Sequence, residues 1–513
     1  MDVIVQDLKV HGIIRVCSAV VFGKTIDMRK LGSAIVLCLI WALSVLAKPM
    51  DSRLHSVGMT LDNGVSLMID ERFELVCTAF RLAGAKEYVT GNCPSYMREV
   101  DEYFSPYKEH ALVGYIQEIR ESFNFAYSIP ALASQMVEIT KGHVRVSPDW
   151  DLTQVCAGEY ESCWNEQIFR EFVRLLDSFY RESKFHAFFV SHLPFYEKVV
   201  AACSETPSLV RPSWFQDFFG LDPVGVDLIV GLCIGPSNYS LHAARLRKNW
   251  DGRLPIAIGT TEDASAIPSF GFDCLPVIVH EIGHYYSNLL VDHYYEAMKE
   301  SMDFVYGKIR DQMARIGYGN AQDVTGEWIN ELFVNCYLKQ NPTVIGGAYN
   351  VSENVEKGYL WMERAVHFMD HFFSDRDTYP SVREFMPHLV SFVNSLPGCW
   401  PDIEREFENR NPYVMEVYPA GVITSRTQEI RITFSMPMKT GIQGLSPLPG
   451  YESLPLNYTD VRWEGDRTFV LDLRGHDITP GIKYGVRLPS DFFLNTGCYR
   501  MKEDFDLILE TVE

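Results

Sequence analysis

The stretch that most constrains this chain is residues 277–288, Val-Ile-Val-His-Glu-Ile-Gly-His-Tyr-Tyr-Ser-Asn. Apolar residues lead into it and Pro276 suits a position in the first turn, so the pattern predicts a buried helix. His280 and His284 are four residues apart, so their imidazoles lie one turn apart on the same face. Any fold of this chain must therefore carry two imidazoles side by side in an apolar setting.

This pair of histidines predicts a metal site. Zinc prefers nitrogen ligands in a tetrahedron and leaves one position for water in catalytic sites. Glu281 directly follows His280 and is placed to take a proton from that water. The sequence therefore predicts Zn²⁺ bound by His280 and His284, with Glu281 as the general base of a metallopeptidase that hydrolyses a peptide or protein substrate.

The third protein ligand is less constrained. One class of zinc peptidase places a third histidine six residues after the second, and Leu290 in that position excludes this class. His293 is about half a helical turn out of phase and should point away. Glu327 and Glu331, both on a later predicted helix, are the candidates, and helical phase does not choose between them.

A resemblance to a peptidase family bears on this choice. In the gluzincin peptidases the glutamate ligand sits in an Asn-Glu pair, and an acidic or amide residue four positions later supports a zinc histidine. Asn330-Glu331 with Asn335 resembles that pattern, although Asn335 departs from the usual aspartate and the spacing from His284 is longer than usual. The resemblance implies Glu331 as the third zinc ligand and Asn335 as a supporting residue.

Two other positions around the metal are predicted from the residues alone. Asn288, one turn beyond His284, is a candidate for orienting the site or for packing. A donor for the transition-state oxyanion is also expected, and Tyr359, His367 and His371 are available downstream, with nothing to select among them.

Residues 254–260 are predicted to form a strand, which is either a core strand or the sheet edge that pairs with an extended peptide.

More broadly, residues 68–400 resemble an uncharacterised family of exported bacterial proteins. The shared features are the Ile-Asp and Arg-Phe-Glu-Leu opening, the segment 103–110, Gly-Pro-Ser-Asn-Tyr, the two-histidine motif and the later Asn-Glu pair. The resemblance implies a metallopeptidase-like protein and supplies no substrate.

The N-terminus predicts export. Met28-Arg29-Lys30 precedes the apolar run 31–47, which falls just short of a comfortable membrane span, and Val45 and Ala47 suit cleavage after Ala47. Residues 28–47 are therefore predicted to be a signal peptide and residues 1–27 an over-called start. The mature protein is expected in the periplasm, at the cell surface or outside the cell, without a stable membrane span. Its ten cysteines are expected to be mostly buried thiols.

Composition and the C-terminus complete the predicted architecture. The formal charge of −21 argues against nucleic acid as a partner. Residues 411–513 alternate like the strands of an Ig-like β-sandwich. The predicted fold is α+β: a mostly helical, zincin-like region with a small sheet over residues 48–410, divided into 58–205 and 206–410, followed by the sandwich.

A rival function is a non-catalytic envelope binding or adhesion protein on a degenerate metallopeptidase scaffold, with the Ig-like module making the contact. The intact Glu281 argues against degeneracy, because a binding scaffold needs no general base.

Overall fold

A computed structural model describes residues 55–123, 125, 127–152, 164–222, 224–241, 246–271, 273–342 and 347–513. The predictions for residues 1–47, Cys156 and Cys163 lie outside the described residues. Residues 56–513 form one compact unit. Its helices, small sheets and C-terminal strands confirm the predicted α+β class.

The strands, in chain order, are β1 (Ser56–Thr60), β2 (Ser66–Asp70), β3 (Val137–Thr140), β4 (His143–Val146), β5 (Gly225–Gly231), β6 (Asn238–Ser240), β7 (Arg253–Gly259), β8 (Thr261–Glu262), β9 (Pro268–Ser269), β10 (Val414–Tyr418), β11 (Val422–Thr424), β12 (Glu429–Phe434), β13 (Ser446–Pro447), β14 (Val461–Glu464), β15 (Thr468–Asp472), β16 (Lys483–Leu488) and β17 (Phe505–Val512).

The α-helices are α1 (Glu71–Leu82), α2 (Lys86–Val89), α3 (Pro94–Phe104), α4 (Ala111–Ser122), α5 (Ser128–Met136), α6 (Glu166–Glu182), α7 (Phe185–Ser191), α8 (Leu193–Ala202), α9 (Glu205–Ser208), α10 (Pro212–Phe219), α11 (Cys274–Arg315), α12 (Ala321–Gln340), α13 (Gly347–Lys357), α14 (Met362–Ser374) and α15 (Val382–Asn409).

The N-terminal hairpin and the helix after it confirm the prediction from the Asp62-Asn63-Gly64 turn. β1 pairs antiparallel with β2, and Gly64 has the positive φ of 85° that the turn requires. Asp70 then caps α1, because its carboxylate accepts a 2.8 Å hydrogen bond from the Arg72 backbone N–H. The hairpin thereby joins the main sheet directly to the first core helix.

A five-stranded sheet in the order β1-β2-β5-β7-β6 underlies the candidate site. β5 is parallel to both β2 and β7, whereas β6 runs antiparallel to β7 and forms one edge. Residues 254–260, the possible substrate-pairing edge in the sequence, fall mostly in β7, which is paired on both sides. Five consecutive residues of β7 are buried, as expected of a central strand, and the open edge belongs to β6.

Two helices are longer than the sequence predicted. The motif helix and the charged helix after it are one helix, α11, of 42 residues, which packs against α12, α15 and the β6–β7 edge. Pro397-Gly398 in the sequence predicts the end of a helix, but α15 continues to Asn409 with Pro387, Pro397 and Pro401 inside it. Buried residues at helical spacing continue on both sides of these prolines, and their packing against the core accompanies the longer helix: Leu389, Val393, Leu396, Trp400 and Ile403.

The C-terminal strands form two four-stranded sheets, β10-β12-β15-β14 and β11-β17-β16-β13, around their own apolar core. This sandwich contacts the helical region beside the site. Tyr499 Oη lies 3.5 Å from Glu363 of α14, and an Arg500 guanidinium nitrogen lies 3.8 Å from a carboxylate oxygen of Glu356 on α13. The sandwich therefore touches two helices of the preceding region.

Among the described residues, no helix combines the length and apolar character needed to cross a bilayer. The described cysteines are free thiols, and seven of the eight are buried, which confirms the expectation for that part of the chain.

A buried carboxyl group lies in the core between α1, α3 and α8. Glu74 is 0% exposed, and its Oε2 accepts a 2.8 Å hydrogen bond from the Tyr96 hydroxyl, which is itself 2.8 Å from the Tyr196 hydroxyl. Burial raises the pKa of Glu74 to about 7, although the hydrogen bond from Tyr96 opposes the rise. The folded protein therefore favours the neutral form of this side chain.

We predict that Glu74→Gln flattens the fall in stability between about pH 4.5 and 7. Because the pKa is higher in the folded than in the unfolded chain, wild-type stability falls as pH rises from about 4.5 through 7 and stays low above it. A shift of this size corresponds to about 3 kcal/mol in the free energy of unfolding. Denaturant titrations at pH 5 and pH 8 measure it.

The control is Glu102→Gln, which changes an exposed glutamate on α3 and should keep the wild-type pH dependence. A Glu74→Gln profile parallel to wild type between pH 5 and 8 would contradict the prediction.

Candidate metal centre

The predicted motif lies near the start of α11, where the helix faces the sheet edge. Ile278, Val279, Ile282 and Tyr286 are buried, and the Tyr286 ring stacks on Phe219 with ring centres 4.8 Å apart. This apolar anchoring leaves His280, Glu281 and His284 on the side that faces α12 and β6.

Three donor groups converge there. His280 Nε2 and His284 Nε2 are 3.0 Å apart, and the Glu327 carboxylate oxygens lie 3.4 Å from the first and 3.7 Å from the second. Ligand atoms of a tetrahedral zinc site, each about 2.0–2.1 Å from the ion, are separated by about 3.3 Å. The two imidazoles and one carboxylate therefore fit the geometry and chemistry of a zinc ion with an open fourth position.

The structure brings Glu327, and not the predicted Glu331, to the two Nε2 atoms. Both glutamates lie on one face of α12, one turn apart, but Glu331 Oε1 is 3.3 Å from Nδ1 on the opposite side of the His280 ring. The two atoms are not aligned as a hydrogen bond, but a proton on Nδ1 is favoured beside a carboxylate, and this leaves Nε2 free as a ligand. The geometry therefore favours the alternative that helical phase left open, with Glu331 supporting His280.

Asn288 and Asn335 occupy different positions relative to the histidines. Asn288 Oδ1 lies 3.3 Å from His284 Nδ1, so it orients the second imidazole as Glu331 orients the first. Asn335 was expected to support a histidine, but its amide donates to the Glu331 carbonyl oxygen at 2.9 Å and to Asn354 Oδ1 at 2.7 Å. Glu331, four residues after Glu327, contacts the histidine instead.

A buried amide fixes α12 against α11. Asn330 Nδ2 donates to the His280 carbonyl oxygen at 3.0 Å, and Asn330 Oδ1 accepts a 3.0 Å hydrogen bond from Ser287. A Cβ on Gly283 would lie 2.4 Å from Asn330 Oδ1, so the close approach requires glycine between the two histidines.

Charge at the site matches a cation. Burial raises the pKa values of Glu327 and Glu331, but the neighbouring histidines outweigh it and both carboxyl pKa values are lowered, that of Glu331 to about 2. The two half-buried carboxylates thus remain ionised beside the imidazoles. Burial lowers the pKa of His280, but these carboxylates outweigh it and raise the pKa, so a proton on His280 offsets part of their charge, and a bound cation would take the place of that proton.

Glu281 differs from these two glutamates. It is 7% exposed, and burial raises its pKa to about 7, against the opposing effects of His280 and a backbone hydrogen bond from Ser240. A carboxylate of this pKa is matched to accepting a proton near neutral pH. The contact with Ser240 also brings Glu281 to the open edge of β6.

Tyr318 is a site residue that the sequence did not predict. It follows Gly317 in the turn between α11 and α12, and its hydroxyl hydrogen-bonds to Glu327. Burial, and then the charge of Glu327, raise the pKa of Tyr318, so the hydroxyl is protonated and able to donate. Its position in a Gly-Tyr-Gly turn after the motif helix was the available sequence signal.

The predicted oxyanion donors do not line the cleft, although Tyr359 is buried near Tyr318 and the two glutamates of α12. Tyr359 is 2% exposed and packs against Trp361, and His367 and His371 are exposed side chains of α14. None of the three lines the cleft beside the two histidines, whereas Tyr318 does.

A cleft of about 300 Å³ opens on the site. Its walls come from β6, the start of α11, the Tyr318 turn, α12 and α13. The lining residues are Asn238, Asp273, Pro276, Val277, His280, Glu281, Tyr318, Glu331, Tyr349, Asn350, Glu353 and Lys357.

Comparison with known proteins gives a family without an assigned activity. No curated protein matches the chain. One solved structure that matches is the N-terminal part of the bacterial S-layer protein SbsC, with 14% sequence identity. The match covers 46% of this chain and 58% of that one, and the TM-score of 0.15 is too low to indicate a shared fold. The family model described as a domain of unknown function, DUF4932, matches residues 65–392, and the chain therefore belongs to this family.

Proposed function

We propose that the protein is a zinc-dependent peptidase of the gluzincin kind. The observation that carries the proposal is the convergence of ligand atoms of His280, His284 and Glu327 within 4.8 Å of one another, beside a cleft that His280 and Glu281 line. Two imidazoles and a carboxylate with one open position are typical of catalytic zinc sites, whereas structural sites are closed by four protein ligands.

The chain's own groups divide the remaining work. Bound zinc supplies a Lewis acid that polarises a carbonyl group and acidifies water. Glu281 accepts the proton of the attacking water and returns it to the leaving amine, for which a pKa of about 7 is suited. The Tyr318 hydroxyl lies in the same cleft and would donate to the oxyanion on the carbonyl oxygen by turning away from Glu327, its partner in the structure. Glu331 and Asn288 hold the two imidazoles in their binding orientation.

The open edge of β6 supports an extended peptide as the substrate. Tyr239 and Leu241 turn their backbone groups toward β7 in the antiparallel ladder, so those of Asn238 and Ser240 point away from it. The Ser240 N–H already donates to Glu281, which leaves Asn238, a residue of the cleft wall, to pair with a peptide. A peptide that pairs with this edge lies across the cleft beside Glu281. Backbone pairing of this kind is independent of the substrate's side chains.

Charge at the mouth of the cleft favours a basic side chain. Asp273, at the start of α11, and Glu353, on α13, are exposed cleft residues, and the Tyr349 hydroxyl hydrogen-bonds to Glu353. Within the described ranges no ion pair joins either carboxylate to a cation. A lysine or arginine of the substrate would supply that partner.

Export and the C-terminal sandwich extend the proposal. The predicted signal peptide over residues 28–47 supports action outside the cytoplasm. We propose that the sandwich is an Ig-like spacer or docking module, which its two packed four-stranded sheets support.

The general-base assignment predicts that Glu281→Gln retains zinc and loses activity. The amide cannot accept a proton from water, so hydrolysis of a peptide library should fall by about 10²–10⁴-fold. Zinc content by metal analysis should stay near that of wild type, and Glu300→Gln, exposed on the same helix, is the matched control. Metal-free wild-type protein, or full cleavage by Glu281→Gln, would exclude the proposal.

The ligand assignment predicts different losses of zinc for the two glutamates of α12. Glu327→Ala removes a ligand and should abolish tight binding, whereas Glu331→Ala removes a partner of His280 and should weaken binding by about 10–100-fold. Chelator competition on the purified variants measures both. A greater loss in Glu331→Ala would reverse the assignment.

The charge of the cleft mouth predicts a substrate preference. Asp273→Asn and Glu353→Gln together should lower kcat/KM for peptides with lysine or arginine near the cleaved bond by about fivefold, the effect of one or two exposed charge pairs. Rates for matched neutral peptides should not change, and Asp311→Asn, exposed near the end of α11, serves as the control. Equal losses for basic and neutral peptides would refute the role of charge.

A further inference from the structure

A chain of buried amides links the helix that lines the cleft to the metal centre. Asn350 Nδ2 donates to Asn335 Oδ1 at 2.9 Å, Asn335 Nδ2 donates to Asn354 Oδ1 at 2.7 Å, and Asn354 Nδ2 donates to Glu331 Oε2 at 3.0 Å. The three asparagines are 7%, 1% and 0% exposed. Hydrogen bonds therefore run continuously from α13 through α12 to the carboxylate beside His280.

The direction of the Asn354 amide follows from its partners. Its oxygen must face Asn335 Nδ2, because an NH₂ group can only donate. Its own NH₂ group then faces Glu331, which as a carboxylate can only accept. Since Asn354 is fully buried, no water competes for either contact, and this arrangement is the one that satisfies all of the groups.

The two oxygens of Glu331 have separate partners. Oε1 faces His280 Nδ1 at 3.3 Å and lies 3.8 Å from the Lys357 ammonium, whereas Oε2 accepts a hydrogen bond from Asn354. Without the Asn354 donor, the carboxylate can rotate about its terminal bond, since that torsion is broad in glutamate. The Asn354 contact therefore sets which way Oε1 points.

We propose that Asn354 is a positioning residue. It acts through Glu331 to hold the His280 ring with Nε2 directed toward His284 and Glu327, the other two zinc ligands. It touches neither substrate nor metal. The inference rests on the proposed zinc site and adds to it a residue from α13, the helix that also lines the cleft with Tyr349, Asn350, Glu353 and Lys357.

The test is a double-mutant cycle on zinc affinity, measured by chelator competition on apo-protein without any activity assay. Asn354→Ala should weaken zinc binding by about tenfold, and Glu331→Ala by at least as much. The double variant should bind zinc within about twofold of Glu331→Ala, because Asn354 acts only through that carboxylate. Asn341→Ala removes another buried asparagine of the α12 end, 8% exposed and remote from the histidines, and should bind zinc like wild type.

Asn354→Leu keeps the branched shape of the side chain without the donor, and leaves no cavity that could cost the fold. It should show the same weakened zinc binding as Asn354→Ala. Wild-type affinity in Asn354→Leu, or a loss that adds fully to that of Glu331→Ala, would overturn the positioning role.

The outcomes also separate this inference from the proposed peptidase. Weakened zinc binding in Asn354→Ala together with no hydrolysis by wild type leaves the positioning role standing and rejects the peptidase. Wild-type zinc affinity in the Asn354 variants together with Glu281-dependent hydrolysis does the reverse.

Discussion

The candidate site depends on the contact that locks α12 onto α11. Asn330 reaches across to the His280 carbonyl oxygen and receives a hydrogen bond from Ser287, and Gly283 leaves the space for it. Because Asn330 is followed by Glu331 and preceded by Glu327 one turn earlier, fixing this amide fixes the depth and rotation of both glutamates. The two histidines of α11 gain a third donor, Glu327, only because this contact fixes the position of α12 against α11.

The site also concentrates ionisable groups that a core of this kind normally excludes. Glu281 is buried and Glu327 and Glu331 are half-buried, yet their pKa values move in opposite directions, because the first has few compensating contacts and the others lie against imidazoles. Divergent pKa values of neighbouring carboxylates indicate different roles for them. Here the difference follows from position: Glu281 contacts the edge strand β6, whereas Glu327 and Glu331 lie against the imidazoles.

Local pattern was enough to predict the parts of this molecule that one helix or one turn determines. The four-residue spacing of His280 and His284, the adjacent Glu281 and the Asp62-Asn63-Gly64 hairpin were all evident in the sequence. The choice between Glu327 and Glu331 was not, because both share a face of α12 and the choice depends on which edge of the His280 ring each one meets. Tyr318 was missed because its role depends on where a turn places it.

Long-range pairing limited the rest of the prediction. The apolar run of β7 looked like a possible sheet edge, but the short strand β6 covers it, and only the pairing of strands distant in sequence decides which is outermost. Similarly, Pro397 and Gly398 signalled the end of a helix, whereas the buried stripe that continues to Ile403 carries α15 past them. In both cases tertiary burial outweighed a local signal.

The contact between Arg500 and Glu356 joins the C-terminal sandwich to the helix that lines the cleft. Glu356 lies on α13, between Glu353 at the cleft mouth and Lys357 beside Glu331. The segment before β17 therefore contacts the outer side of the helix whose inner side lines the cleft. The family match ends at residue 392, before the sandwich begins. A protein that joined the same helical region to a different C-terminal module would therefore place different side chains against the outer side of this helix.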